Sequence, residues 1–103
     1  LIISGGFNIY PKEIEDVINN IKGVKESAVI GVPHKDLGES VLSVIIKDDL
    51  IQIDSKKIAE ILKNKLAKYK CPKAFVFKIS LPRNNLGKIL KNKLREEYND
   101  YFK

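Results

Sequence analysis

Apolar positions along this chain change period several times, and each change marks an element. After Pro11, the residues Ile14, Val17, Ile18 and Ile21 recur at i, i+3, i+4 and i+7, the stripe of one helix face. Pro11 suits a first helical turn, Glu13, Glu15 and Asp16 offset the positive end of the helix dipole, and Gly23 supplies a stop. Val24 to Val32 and Val41 to Lys47 are rich in β-branched residues and read as an antiparallel strand pair, with the polar loop Pro33 to Glu39 between them. A second helix is predicted from Asp54 or Ser55, either a good N-cap, with Ile58, Ile61, Leu62 and Leu66 inward. Ala74 to Ile79 reads as a third strand. The last helix is predicted from about Lys88 towards Tyr101, burying Leu90, Leu94, Tyr98 and either Tyr101 or Phe102. At the front, Leu1-Ile2-Ile3 and Phe7-Asn8-Ile9-Tyr10 flank Gly5-Gly6 as a short glycine-turn hairpin. The sum is an α+β fold: a small, mainly antiparallel three-stranded sheet with about three helices packed on one face, preceded by that hairpin.

At 103 residues and 44% hydrophobic content, the chain can bury one modest core, so a single domain is expected. Nineteen basic against thirteen acidic side chains leave +6, which favours an anionic partner: a nucleotide, a phosphorylated cofactor, nucleic acid or an acidic protein surface. No apolar run approaches the roughly 20 residues of a membrane span. Cys71, the one cysteine, has no CxxC companion or metal-ligand neighbour, so a reducing compartment, by default the cytoplasm, is expected. With no methionine, an apolar start at Leu1-Ile2-Ile3-Ser4 and no charged leader, the chain is expected to be a piece of a larger protein.

Three loop segments carry candidate chemistry. In Leu81-Pro82-Arg83-Asn84-Asn85-Leu86-Gly87-Lys88, a lysine follows a glycine behind a proline-led loop. Its ammonium suits phosphate or carboxylate oxygens, and Gly87 allows a tight approach. The plainer alternative is a solvated lysine in a helix's first turn. A nucleotide-binding P-loop is excluded, because Pro82 stands where its first glycine belongs and Ile89 where its Ser or Thr belongs. In Ser4-Gly5-Gly6-Phe7, paired glycines permit positive φ and close contact of a narrow ligand with main-chain atoms; an ordinary turn is the alternative. In Tyr69-Lys70-Cys71-Pro72-Lys73, a ring and lysines around a stiff turn suit a base and phosphates, or else form a solvated helix exit. His34 stands apart from any nucleophile or metal constellation, and Asp48-Asp49 reads as a solvated turn.

Taken in order, these segments resemble the C-terminal domain of the adenylate-forming acyl-CoA synthetases. Ser4 to Glu15 is similar to that family's glycine-loop motif after its interdomain hinge, Tyr69 to Lys73 to the segment before its last strand, and Pro82 to Lys88 to its Pro-x4-Gly-Lys signature. Val32-Pro33 with Leu37-Gly38-Glu39 resembles its recurrent inter-strand loop, so the likeness covers essentially the whole chain.

The resemblance implies a two-step ligase that joins a carboxylate to ATP as an acyl-adenylate and then passes the acyl group to coenzyme A. Lys88 would serve adenylation by bridging the carboxylate and the α-phosphate, and its acetylation would switch that step off. Gly5, Gly6 and Phe7 would face the pantetheine channel during thioester formation, with Gly6 above all needing to stay small. Tyr69, Lys70 and Lys73 would contact the nucleotide end of coenzyme A, and Leu37 would lie beside the adenine. Cys71 stands where some relatives place an arginine, so one phosphate contact is expected to be missing. A large N-terminal domain would hold the ATP loop, the acyl pocket and the Mg-dependent chemistry, leaving this chain alone inert. The glycine-loop wording leans towards fatty-acid and malonate-like ligases. Two alternatives stay open: the matching part of a carrier-protein-loading adenylation enzyme, and, more remotely, a basic nucleic-acid-binding module.

Overall fold

The computed structural model describes residues 1–103, in the order β1 (Ile2–Ser4), β2 (Phe7–Ile9), α1 (Pro11–Asn19), β3 (Val24–His34), β4 (Gly38–Lys47), α2 (Ser55–Lys63), β5 (Ala74–Lys78) and α3 (Lys91–Glu97). A 3-10 turn at Lys68–Lys70 precedes β5. The fold is α+β as expected, but its sheet has five strands instead of three. β3 and β4 form the long central hairpin, in register from His34↔Gly38 to Val24↔Lys47 with one bulge between Val24 and Glu26. The other edge of β4 is shared. β1 meets it at Gly38, bringing β2 with it, and β5 runs parallel beside Leu42–Ile46. The glycine-turn hairpin is therefore part of the sheet and does not merely precede it. Parallel pairing of β5 with β4 requires a crossover, which α2 supplies.

The helices cover both faces, not one. α1 and α2 pack on the face made by Val29, Val41 and Ile45, together with Ile2, Ile9, Ile53, Ile58 and Leu62. On the opposite face Ala28, Ile30, Val32, Leu42, Val44 and Ile46 are closed over by Leu81 and Leu94, with Ile89, Tyr98 and Phe102 at the margin. The physical reason lies in the strands: Ala28–Val32 and Val41–Ile46 are continuously buried, and a strand apolar on both sides needs a cover on both sides. Asp54 is the N-cap of α2, its carboxylate accepting from Lys57 N at 2.9 Å.

The third helix starts at Lys91, three residues later than the apolar spacing suggests. Residues 83–89 instead form a miniature antiparallel hairpin, with Arg83 bridging Ile89 and Leu90 N donating to Pro82 O at 2.8 Å. Ile89, not Leu90, reaches the core margin, and Phe102, not Tyr101, packs inward against the His34 ring.

The exposed edge of β3 is closed by side chains. Val29 N donates to Glu15 Oε2 at 2.8 Å, the same oxygen lies 2.8 Å from Lys91 Nζ, and Ser27 Oγ donates to Asn19 Oδ1 at 2.8 Å. A free edge would otherwise offer unpaired amides to another chain.

Candidate functional sites at two corners of the sheet

The first corner gathers the glycine turn, Leu37 and the Tyr69 segment. Ser4 pairs with Phe7, so Gly5 and Gly6 are the two central residues of a hairpin turn, with φ of +55° and +85°. Two successive positive φ values match the right-handed twist of a two-residue hairpin and strongly favour glycine. Gly5 N donates to Leu37 O at 3.0 Å, and a Cβ on Gly5 would stand 3.2 Å from Leu37 Cδ2. A Cβ on Gly6 would meet nothing within 4 Å, so that face of the turn is open. The Leu37 turn is itself held by His34, whose Nδ1 accepts from Asp36 N at 3.1 Å and Leu37 N at 3.2 Å.

Phe7 stacks on Tyr69 with ring centroids 4.5 Å apart and planes at 20°. This contact joins two candidate segments through residues 62 positions apart in sequence. Lys70 is committed: its Nζ donates to Glu13 Oε2 at 2.9 Å, and that hydrogen bond raises its pKa above the ordinary lysine value. Lys73 is exposed and pairs with no carboxylate, while its backbone N donates to Val41 O. From Ser55 to Lys73 seven lysines face one acid, Glu60. Since the remainder of the chain is balanced, twelve basic against twelve acidic, this segment carries the net charge. Cys71 in its middle is half-buried, and burial pushes its thiol pKa up.

The second corner is the 83–89 hairpin. Its tip is organised by Asn84, whose Oδ1 accepts from Leu86 N at 2.9 Å and Lys88 N at 3.0 Å. Gly87 sits at φ +86°, its N donating to Asn84 O. Arg83 reaches from Gly87 O, at 2.7 Å, to the carboxylate of Glu26 on β3. Of the three cations between Arg83 and Lys91, Arg83 pairs with Glu26 and Lys91 with Glu15, and only Lys88 has no acidic partner. It is also exposed.

The corners lie far apart. The Lys88 hairpin is anchored at Glu26, near the start of β3, whereas the Leu37 turn follows His34 at its end. Eight residues of strand at about 3.3 Å each put roughly 26 Å between the two anchors. The glycine turn lies further across, beyond β4, so no single small ligand touches Lys88 and Gly6 together.

The sequence-predicted candidates fall into these two corners, Gly5, Gly6, Phe7, Leu37, Tyr69, Lys70 and Lys73 at the first and Lys88 at the second. Sequence reasoning missed what holds them: Glu26, Arg83, Asn84 and His34. An Asn three residues before the Gly-Lys pair was a usable turn signal, since Asn side chains accept from main-chain amides two residues on. No group of three or more His, Cys, Asp or Glu side chains is arranged to hold a metal ion, and no helix is long and apolar enough to cross a membrane.

The fold is a compact α+β unit with two candidate loops at remote corners of one sheet. The chain belongs to the AMP-binding enzyme C-terminal domain family, whose description matches residues 13–88. Lys88 is the last matched residue, and the glycine turn lies just before the matched stretch. The chain is 46% identical over 98 residues to a long-chain-fatty-acid–CoA ligase, FadD13, of Mycobacterium tuberculosis, covering 95% of this chain and 19% of that protein. It is 40% identical to the long-chain-fatty-acid–CoA ligase of Escherichia coli O157:H7, covering 94% and 17%. Among solved structures, ATP-bound MatB from Rhodopseudomonas palustris superposes with a TM-score of 0.97 at 51% identity, over 100% of this chain and 20% of that one. The chain thus spans about a fifth of the length of these relatives.

Proposed function

We propose that this chain is the mobile C-terminal lid of an ATP-dependent acyl-CoA synthetase, completed by its own N-terminal domain, with a fatty or malonate-like acid as substrate. In the first half-reaction a carboxylate oxygen attacks the α-phosphorus of ATP, the new acyl–O–P bond forms, and pyrophosphate leaves. Lys88 brings its unpaired ammonium to the oxygens on which charge concentrates, stabilising the transition state. In the second, the sulfur of coenzyme A attacks the acyl carbon and AMP leaves. Gly5 and Gly6 let the pantetheine arm pass close to main chain beside Phe7, while Leu37, packed against Gly5, borders the adenine.

Tyr69 and Lys73 receive the nucleotide end of coenzyme A. Tyr69 has one face committed to Phe7, so an adenine would use the other, and Lys73 is the free cation for phosphate. Lys70, paired with Glu13, chiefly holds this segment against α1 and adds to the local positive field. The Mg-dependent part of the chemistry falls to the N-terminal domain, and the isolated chain makes no acyl-CoA.

The observation that carries this reading is the separation of the two corners. A domain whose two functional loops cannot reach one ligand together must present them in turn, which a two-step reaction with a rotating lid requires. The test is pyrophosphate release from ATP and carboxylate by the full-length enzyme carrying Lys88→Ala. Loss of about a hundredfold or more is expected for a transition-state charge partner. Release at the wild-type rate would leave Lys88 a solvated surface residue.

A further inference from the structure

We propose that Asn84, tethered through Arg83 to Glu26, is the positioning residue that determines where the Lys88 ammonium stands. This rests on the adenylation reading of Lys88. A lysine side chain is flexible and Lys88 is exposed with no carboxylate beside it, so nothing at the tip of the side chain fixes it. Its placement is set at the root.

Three hydrogen bonds hold that root, and all come from residues 83 and 84. The peptide joining Gly87 to Lys88 is held at both ends, its N–H donating to Asn84 Oδ1 at 3.0 Å and its carbonyl accepting from Arg83 at 2.7 Å. The following carbonyl, Lys88 O, accepts from Asn84 N at 3.0 Å. The Asn84 side chain spends its second acceptor position on Leu86 N at 2.9 Å, which closes the turn. The guanidinium that holds Gly87 O also grips Glu26, so the turn is referenced to a core strand and not only to itself.

The alternative is that Asn84 merely keeps a surface turn folded. The two differ in what they predict for catalysis. A turn that matters only for folding changes stability, whereas a misplaced charge partner slows one chemical step selectively, a displacement of about 1 Å costing up to roughly a hundredfold. Asn84 is exposed and belongs to neither core, so its substitution removes no core packing.

The experiment uses the full-length enzyme with Asn84→Ala and Asn84→Asp, with Lys88→Ala as reference. Asn84→Ala removes the acceptor and is expected to lower kcat for pyrophosphate release by about ten- to a hundredfold, with KM values for ATP and acid within about twofold. Asn84→Asp keeps an oxygen that accepts from the same two amides and is expected to recover most of the loss. Thioester formation from supplied acyl-adenylate and coenzyme A stays within about twofold in both, since that step does not use this turn. Unchanged adenylation by Asn84→Ala, equal slowing by the two variants, or a parallel fall in both half-reactions would overturn the proposal. If Lys88→Ala adenylates normally, the role of Lys88 itself fails and the proposal with it. If Lys88→Ala collapses while Asn84→Ala does not, only the positioning role fails.

Discussion

Gly31→Ala puts the link between the sheet and the glycine turn under direct strain. Gly31 lies in β3 opposite Val41, its backbone outside the positive-φ region, so alanine has no conformational objection to the site. On backbone entropy alone the substitution stabilises by about 0.4–1 kcal/mol. The contacts oppose this. A Cβ there would stand 2.7 Å from Glu39 Oε2 and 3.0 Å from both Ile2 Cγ1 and Cγ2, against the 3.5–4.0 Å at which carbon atoms pack best. Glu39 has a flexible side chain and can swing away, though its Oε1 then no longer accepts from Ile3 N at 3.1 Å. Ile2 cannot yield as cheaply, being buried and held by the Ile2↔Ile9 pairing. Overpacking of this kind costs about 1–3 kcal/mol, so the net is a destabilisation of about 1–2 kcal/mol. For a domain of this size that lowers Tm by roughly 5–15 °C. Thermal unfolding of the 103-residue chain followed by circular dichroism reads it directly. In the full-length enzyme the displaced β1–β2 hairpin carries the glycine turn with it, so thioester formation should fall more than adenylation. A Tm that rises, as the entropy term alone dictates, would refute the packing argument.

Other outcomes follow from particular groups. Gly6→Ala places a Cβ at φ +85°, costing about 1–2 kcal/mol of strain, and slows transfer to coenzyme A while pyrophosphate release persists; equal transfer rates would remove the turn from the channel. The hydrogen bond from Lys78 lowers the Glu97 pKa below its ordinary value, so the pair's stabilising contribution is present above pH about 4.5 and is lost as pH falls through the lowered value. Comparing Glu97→Gln with wild type by urea unfolding should show a difference of under about 1 kcal/mol at pH 7 that shrinks as the pH is lowered below about 4.5. Burial raises the Cys71 thiol, and its Sγ lies 3.7 Å from Ala67 O, so a thiol reagent at pH 7 should label it more slowly than free cysteine; labelling at the free-thiol rate would contradict the packing.

The elements were legible wherever the side-chain period was strong. Ile14, Val17, Ile18 and Ile21 marked α1, and Asp54 marked the start of α2, because both signals are local. The last helix was misplaced because a local competitor beat the period. Asn84 and Gly87 fold residues 83–89 into a turn before the Leu94 stripe can propagate back to Lys88. The two-sided cover was readable in the unbroken apolar runs of β3 and β4, though helix periodicity alone does not say which face each helix takes. The strand count required knowing that β1 meets Gly38 and β5 meets Leu42–Ile46, pairings set by tertiary assembly.

The site divides the same way. Glycine, lysine and tyrosine positions were visible as residue types in loops. Their holders were not, because Arg83 finds Glu26 and Lys70 finds Glu13 across fifty-seven residues. Charge composition announced cations in excess without saying that Lys70 and Lys91 were already paired.

The central claim is that the two corners act in different half-reactions. Its most direct test is the rate at which the full-length Lys88→Ala enzyme converts supplied acyl-adenylate and coenzyme A to thioester. The separation of Lys88 from the glycine turn predicts a rate within about twofold of wild type, although the same enzyme scarcely makes the adenylate. A thioester rate that collapses together with adenylation would contradict it, because Lys88 would then serve both steps from one corner.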